Sequence, residues 1–384
     1  MNRWLHLKPR SPLLIGRLKA DSAYLVTLPY IPGRVVRGAW AEGRRMAGKA
    51  ATIAAAARQL QIWNFHPVRE GMVYSLPFPK SAWTCKRHPG FRPHGHGVLD
   101  SCIPRWVYRL LEEQARLPVP FQIVCDICED RMTPTDGYYG IDATGGRARI
   151  SIPLQFQTKV ALSRRRRAAM EGMLYQVTAI APQEDLAFVG RVQGPPDLIR
   201  EVEEALEQVG VGALTRRGYG QVQVCRGDPP AYLSLRERVE RFNRIFRQIY
   251  ADIARLAPGA SPLPEGTWFF TIDLLAPGVF REDPLGPPAL WPTLELGGRT
   301  LRPCFWITRP TLVGGWSTAW GLPKPVDLAA SAGSVYGFRW DPEWGPLDFE
   351  ALERLEETGV GERTDEGFGE LMVCHPFHLE VEPV

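Results

Sequence analysis

One eleven-residue pattern occurs twice in this chain. Gly210-Val-Gly-Ala-Leu-Thr-Arg-Arg-Gly-Tyr-Gly220 and Gly359-Val-Gly-Glu-Arg-Thr-Asp-Glu-Gly-Phe-Gly369 both read Gly-Val-Gly, five residues, Gly-aromatic-Gly, 149 positions apart. Each copy follows an acidic amphipathic stretch that reads as a helix (201–208 and 349–357) and precedes a short strand-like run (221–224 and 370–373). A helix, glycine loop and strand repeated as a block means two copies of one folding unit.

Glycine allows positive φ and lets another backbone come close. A loop so poor in side chains leaves amide N–H groups open, a surface suited to an anion such as phosphate. It is not a P-loop, because no Gly-Lys-Ser/Thr follows. It is not the dinucleotide fingerprint either, because there the glycines lead from a strand into a helix. A single loop would read as a tight connector. Two of identical spacing, with Arg216 and Arg217 in the first and Arg363 in the second, favour nucleic-acid phosphate, with Gly218, Gly220, Gly367 and Gly369 at the contact.

The remaining pattern predicts an α+β fold of two ferredoxin-like units in tandem, the arrangement that RNA-recognition modules use. In the first (1–230), residues 3–7 read as a strand, and a helix opens after Tyr30-Ile-Pro-Gly33 and runs to about Leu60. Strands are expected at 155–162, 171–178 and 186–192. Residues 63–150, rich in Pro, Gly, His and Cys, read as an irregular insertion. Leu235 to Leu256 is a helix expected between the halves, and 257–266 is a Pro/Gly linker. The second unit (266–384) shows strands at 268–275, 301–308 and 334–340, but its first helix is hard to see; Thr311 to Pro325 is rich in Gly and Trp instead.

Seven cysteines sit in a chain without a disulfide-rich composition, and four of them fall in the insertion. Cys125-Asp-Ile-Cys128 is a C-x2-C knuckle, and Cys85 lies upstream. A structural Zn²⁺ needs four Cys or His ligands. Cys85, Cys125 and Cys128 are three; His88, His94, His96 or Cys102 could be the fourth, with His96 the working choice. The insertion has too little apolar periodicity to fold on a core of its own, so a metal is expected to hold it. No His-Glu-x-x-His pattern marks a catalytic metal.

Net charge is +4, too mild to argue from, but it is uneven. Arg17, Lys19, Arg34 and Arg37 lie in a basic stretch from Lys8 to Lys49, Arg164 and Arg165 open a run of four arginines, and Lys324 adds a later site. Such patches are the footprint of nucleic acid. Trp316 and Trp320, if exposed, could stack on bases. No apolar run is long enough to span a membrane, and the first ten residues do not read as a signal peptide, so the cytoplasm is expected. Asp21 is a weak catalytic candidate, since a turn aspartate is commonly a cap.

These motifs resemble the RAMP superfamily of CRISPR-associated proteins. Residues 29–39, Pro-Tyr-Ile-Pro-Gly-Arg-Val-Val-Arg-Gly-Ala, are similar to that family's turn into its first helix, and residues 158–164, 171–175 and both glycine loops fit it too. With the cysteine-containing insertion, the chain most resembles the large RAMP subunit of type III-D effector complexes, related to subunits that cap the repeat-derived 5′ end of the guide. The resemblance implies a non-catalytic subunit that binds guide RNA (crRNA), with Arg34 and Arg37 on guide phosphates. Its implied partners are neighbouring RAMP proteins, the large polymerase-like subunit and target RNA. Some family members cut target RNA with a loop aspartate, and Asp21 stands roughly where such a loop would be. Others process guide precursors with a histidine, and residues 14–32 contain none. Two alternatives remain: an endoribonuclease using Asp21, and a scaffold that touches only proteins.

Overall fold

The structure, a computed structural model, describes residues 1–16, 24–115, 117–163, 165–283, 286–317 and 321–384. The candidates Arg17, Lys19, Asp21, Arg164 and Trp320 lie outside the described residues. The chain is mixed α and β, built on two four-part antiparallel sheets. The first uses β1 (Asn2–Pro9), β2 (His66–Arg69), β3 (Leu186–Gln193) and β4 (Val222–Gly227), in the order β4-β1-β3-β2, with Gln61–Ile62 extending the β3 edge. α1 (Gly33–Met46) follows β1, and α2 (Pro196–Val209) joins β3 to β4. The second sheet uses β5 (Trp268–Leu274), β6 (Phe305–Ile307), β7 (Val335–Trp340) and β8 (Leu371–Val373), in the matching order β8-β5-β7-β6.

In the first unit, alternation along β1 places Leu5 and Leu7 against the helices, where they join Val36 and Trp40 of α1 and Ile199, Val202 and Leu206 of α2 in one core. The two helices cross closely: a Cβ on Gly43 would lie 2.7 Å from that of Ala205. The predicted long first helix is shorter than expected. α1 stops at Met46, Gly48 turns the backbone at φ +76°, and only a five-residue helix, Ile53–Ala57, follows. Alanine content favours helix, but a glycine at positive φ breaks the hydrogen-bond ladder.

The strands read at 155–162 and 171–178 form a separate hairpin (Leu154–Leu162 with Ala169–Ile180), to which Tyr24–Val26 adds in parallel. The second strand of the first sheet is instead β2, from the segment assigned to the insertion. The insertion also has apolar packing that its sequence pattern did not suggest. Met72–Pro77, Tyr138–Asp142 and Arg147–Ile150 make a sheet whose Leu76, Phe78 and Tyr139 pack on Phe377.

The helix missing from the second unit has been replaced. α3 (Leu235–Ala254), opened by a capping box of Ser234 and Glu237, packs on β5 rather than between the halves. Beside it lies the insertion's helix Cys102–Glu112, whose Trp106 stacks on Phe305 at 5.4 Å and meets Phe246 and Phe269 edge-on. α4 (Phe349–Thr358), capped by Asp348 accepting from the Ala351 amide at 2.9 Å, completes the layer. A buried clamp fixes the insertion to this unit. His378 sits between Asp100 and Asp273 at 2.8 Å from each. Burial alone would lower the His378 pKa, but the two carboxylates push it up to about 10, so the ring is an imidazolium.

Candidate RNA interface and metal centre

The glycine loops superpose residue by residue in conformation. Gly210 and Gly359 both end their helices at φ 77°, ψ −177°. Leu214 and Arg363, at φ 62° and 59°, both take the left-handed conformation. Each loop closes on itself, Val211 N–H to Gly220 O (2.8 Å) and Val360 N–H to Gly369 O (3.0 Å). Each then grips the chain leaving its unit's first strand: Gly220 and Gly369 donate to Pro12 O and Pro277 O at 2.9 Å, while Ala213 and Glu362 donate to Leu14 O and Val279 O. A side chain at the second glycine is impossible in either copy, because a Cβ would lie 2.4 Å from Leu14 O at Gly212 and 2.4 Å from Val279 O at Gly361. The sequence repeat is therefore a repeat of one hydrogen-bonded clasp.

The outer faces of the loops differ. The second docks on the start of α1. Arg37 donates to Asp365 O (2.7 Å) and pairs with its carboxylate (3.1 Å), Gln61 donates to Thr364 O (2.6 Å), and Asn64 donates to Gly367 O (2.7 Å) while accepting from Gly33 N–H (3.0 Å). Arg363 binds Asp327 (2.6 Å) and Glu366 (3.0 Å), and Lys324 binds Glu366 (2.8 Å). Burial would raise the Glu366 pKa, yet these two cations hold it below the ordinary value. The Arg34 guanidinium lies over Phe368 at 5.3 Å. Arg37, Lys324, Arg363, Gly367 and Gly369 thus gather at one place, around a contact between the two halves.

At the first loop the matching positions face solvent. Arg216, Arg217 and Gly218 are exposed, and a Cβ on Gly218 would meet nothing within 4 Å. Among the described residues no protein group donates to the carbonyls of Thr215, Arg216 or Gly218, the counterparts of those that bind Gln61, Arg37 and Asn64 in the second loop. Asp365 and Glu366 are replaced here by Arg216 and Arg217, a full charge reversal.

Beside this loop stands the hairpin 154–180. Its second strand buries Val177 and Ala179 against Leu14 and Tyr219, while its first strand turns polar side chains inward: Gln157 accepts from the Tyr219 hydroxyl at 2.5 Å, and Lys159 lies over the Tyr219 ring at 4.6 Å. Its apolar face is open, with Phe156 76%, Leu162 63% and Leu174 61% exposed, continued by Tyr24 at 56%. Arg165, Arg166 and Arg167 lie exposed at its turn. A contiguous apolar face of this kind calls for a partner. Alternation was read correctly in this strand, but the side facing out is the one a core would normally claim. Trp316, at the second unit's two-stranded extension, is also exposed.

The metal candidates converge. Cys85 ends a strand, His96 lies in the following turn, and Cys125 and Cys128 flank the knuckle; their ligand atoms all fall within 4.8 Å of one another. Cys85 Sγ is 3.6 Å from Cys128 Sγ and 3.7 Å from His96 Nδ1, and Cys125 Sγ is 3.5 Å from the same nitrogen. A tetrahedron with bonds of about 2.3 Å to sulfur and about 2.0 Å to nitrogen has edges of about 3.5–3.8 Å, so the donor set fits such an ion. Burial opposes ionisation of Cys85 and Cys125, but backbone amides and neighbouring donors bring both below the usual thiol range. The His88 ring lies tilted against the His96 ring at 4.3 Å, and Cys102 is buried in the second unit's core.

A family model described as the RAMP superfamily matches residues 6–223, and one described as CRISPR-associated protein (Cas_Cmr3) matches residues 260–376. No curated protein matches the chain. Among solved structures, it is similar to a chain of a type III-B Cmr-beta complex bound to cognate target RNA (11% identity, 96% of each chain covered, TM-score 0.42). It is also similar to a chain of a Csm3-Csm4 subcomplex of the type III-A interference complex (13%, 88% and 92% covered, TM-score 0.39) and to an RAMP protein binding different RNA substrates (13%, 98% and 100% covered, TM-score 0.29). Among the described residues no helix is long and apolar enough to cross a membrane.

Proposed function

Because the chain belongs to the RAMP superfamily, we propose that it is a guide-RNA-binding, non-catalytic subunit of a type III CRISPR effector complex, holding the repeat-derived 5′ end of the guide. The proposal takes it as two RAMP units in tandem, the first bearing a zinc-binding insertion. It would work in the cytoplasm with neighbouring RAMP proteins, the large polymerase-like subunit and target RNA. The observation that carries this reading is the first unit's outer surface, where exposed Arg216 and Arg217 and the arginines at the hairpin turn flank an open apolar face. Arginines would take backbone phosphates, and apolar side chains would take bases of an unpaired strand. Arg37 and Arg363 serve the contact between the halves in this reading, and Arg34 borders it.

The insertion's ion is proposed to be zinc, held by Cys85, His96, Cys125 and Cys128 and tying the turn at His96 to the knuckle. It supplies structure and no chemistry. Metal analysis of the purified chain should find one zinc per chain, reduced in Cys125→Ser.

The test of function is co-expression with the genomic neighbours and a repeat array, followed by sequencing of the RNA that co-purifies. Short RNAs sharing one repeat-derived 5′ end support the reading. Random cellular RNA, or none, would remove it. Target fragments of fixed spacing that vanish in Asp21→Ala would make the subunit a nuclease instead.

A further inference from the structure

Between the two halves lies a cavity of about 530 Å³, within the range of roughly 300–1,000 Å³ usual for small-molecule sites. Its floor is the face of the first sheet that the helices leave uncovered. Trp4 and His6 of β1 pair across with Arg191 and Val189 of β3, and Val189 with His66 of β2, so all of them project to that side. In RNA-recognition modules this same face stacks bases on aromatic residues. Here the second unit and the strand Met72–Pro77 roof it over into a pocket.

The lining is aromatic at the sides and polar at the back. Tyr74 and Tyr232 meet edge to face at 4.7 Å. Ser75 Oγ and His66 Nε2 are buried without a hydrogen-bond partner among the described residues; Glu370 lies 3.5 Å from the His66 nitrogen but out of alignment. The His66 Nδ1 side is taken by the Tyr138 hydroxyl at 3.3 Å. Buried polar groups left unpaired destabilise a fold, so these donors and acceptors stand ready for a ligand.

The charge pattern selects among ligands. Arg238 Nη2 donates to both carboxylate oxygens of Glu356 at 2.9 Å, and Arg191 donates to the Glu356 carbonyl at 3.1 Å. Glu370 and Asp228 also line the cavity. Burial lowers the His6 pKa. Three carboxylates (Asp228, Glu356, Glu370) against two arginines (Arg191, Arg238) make the lining poorly suited to phosphate, whereas a neutral, flat heterocycle edged with donors and acceptors fits.

The geometry points to a nucleobase pocket: one unpaired base, held against the Tyr74–Tyr232 wall and read by Ser75 and His66. The base would come from bound RNA, which rests on the function proposed above, or from a free nucleotide. The experiment separates these sources. Short single-stranded RNAs carrying 2-aminopurine at successive positions are titrated into the full chain and into Ala231→Trp, which plugs the mouth from an exposed position. His6→Ala serves as a second variant, and thermal melting checks that each folds. Adenosine and uridine are titrated in parallel.

One RNA position should change fluorescence on binding, with the change lost or its midpoint raised at least tenfold in both variants at unchanged melting temperature. RNA bound with the same response at every position, in wild type and variants alike, overturns the pocket and leaves the RNA-binding reading standing. If no RNA binds, that reading falls. The pocket then stands only if a nucleoside binds wild type and is lost in Ala231→Trp.

Discussion

The two glycine loops share a backbone and differ in what their outer faces meet. In both, the glycines build the same clasp onto the exit of the first strand, at matching φ values and matching hydrogen bonds. Outside that clasp, the second loop carries Asp365 and Glu366, which pair with Arg37 and Lys324 and with the loop's own Arg363, whereas the first carries Arg216 and Arg217 and is open. One scaffold thus yields a contact between halves where its side chains are acidic and an anion-facing surface where they are basic. The glycines account for the shape, and the residues between them for its use.

The shared part is where substitution should cost most. Gly212→Ala and Gly361→Ala each force a Cβ at positive φ to within 2.4 Å of a carbonyl oxygen. Strain of this kind costs roughly 1–3 kcal/mol from the backbone alone, and the clash adds to it. Chemical denaturation should show a loss of about 3 kcal/mol or more in both variants. Tolerance at one site and not the other would break the equivalence.

Arg37→Met separates the outer faces. Its guanidinium donates to the carbonyls of Asp365, Ala57 and Leu60 as well as pairing with Asp365. Removing it should destabilise the chain by about 1.5–3 kcal/mol, as for hydrogen bonds to charged groups, with RNA affinity changed less than twofold. A large fall in affinity at unchanged stability would return Arg37 to the RNA surface.

Arg216→Ala with Arg217→Ala should do the opposite. RNA affinity should fall about tenfold, and the slope of log K against log salt should shrink by about 1.4, two phosphate contacts at about 0.7 each for a single strand. Stability should not move, because among the described residues Arg217 makes one long hydrogen bond, 3.3 Å to the Tyr175 hydroxyl. Acidic replacements, which give this loop the charge of the second, should weaken RNA binding further. An unchanged salt slope would mean that the loop faces protein.

Much of this was legible in the sequence because it depends on local rules. Glycine spacing, the helical run from Leu235 and the C-x2-C knuckle each state their own geometry, and the structure shows the loops, the helix Leu235–Ala254 and the cysteine cluster. What was missed depends on the neighbour. The stripe Ile103, Trp106, Val107 and Leu111 is helical in spacing, but only the second sheet's lack of a covering helix explains where it goes. Asn64 and Gln61 look like ordinary polar residues until Gly367 and Thr364 arrive opposite them. In the hairpin, period two gives the strand but does not say which face turns outward.

The finest discrimination comes from the third-from-last position of the template, where neither loop has a severe clash. Gly218 has φ +83° and open space around its missing Cβ. Gly218→Ala should therefore cost only the left-handed backbone term, about 1–2 kcal/mol, and Gly218→Asn less, because asparagine tolerates that conformation. At Gly367 the φ is similar, +88°, but a Cβ would lie 3.1 Å from Asn64 Oδ1 and 3.2 Å from Gly33 N and Ile62 O. Asparagine should not rescue that site, because the atoms it meets are the ones that hold the loop against α1. A rescue at Gly367 equal to that at Gly218 would show that the second loop's docking yields easily, and the contrast between an occupied and an open loop would then rest on charge alone.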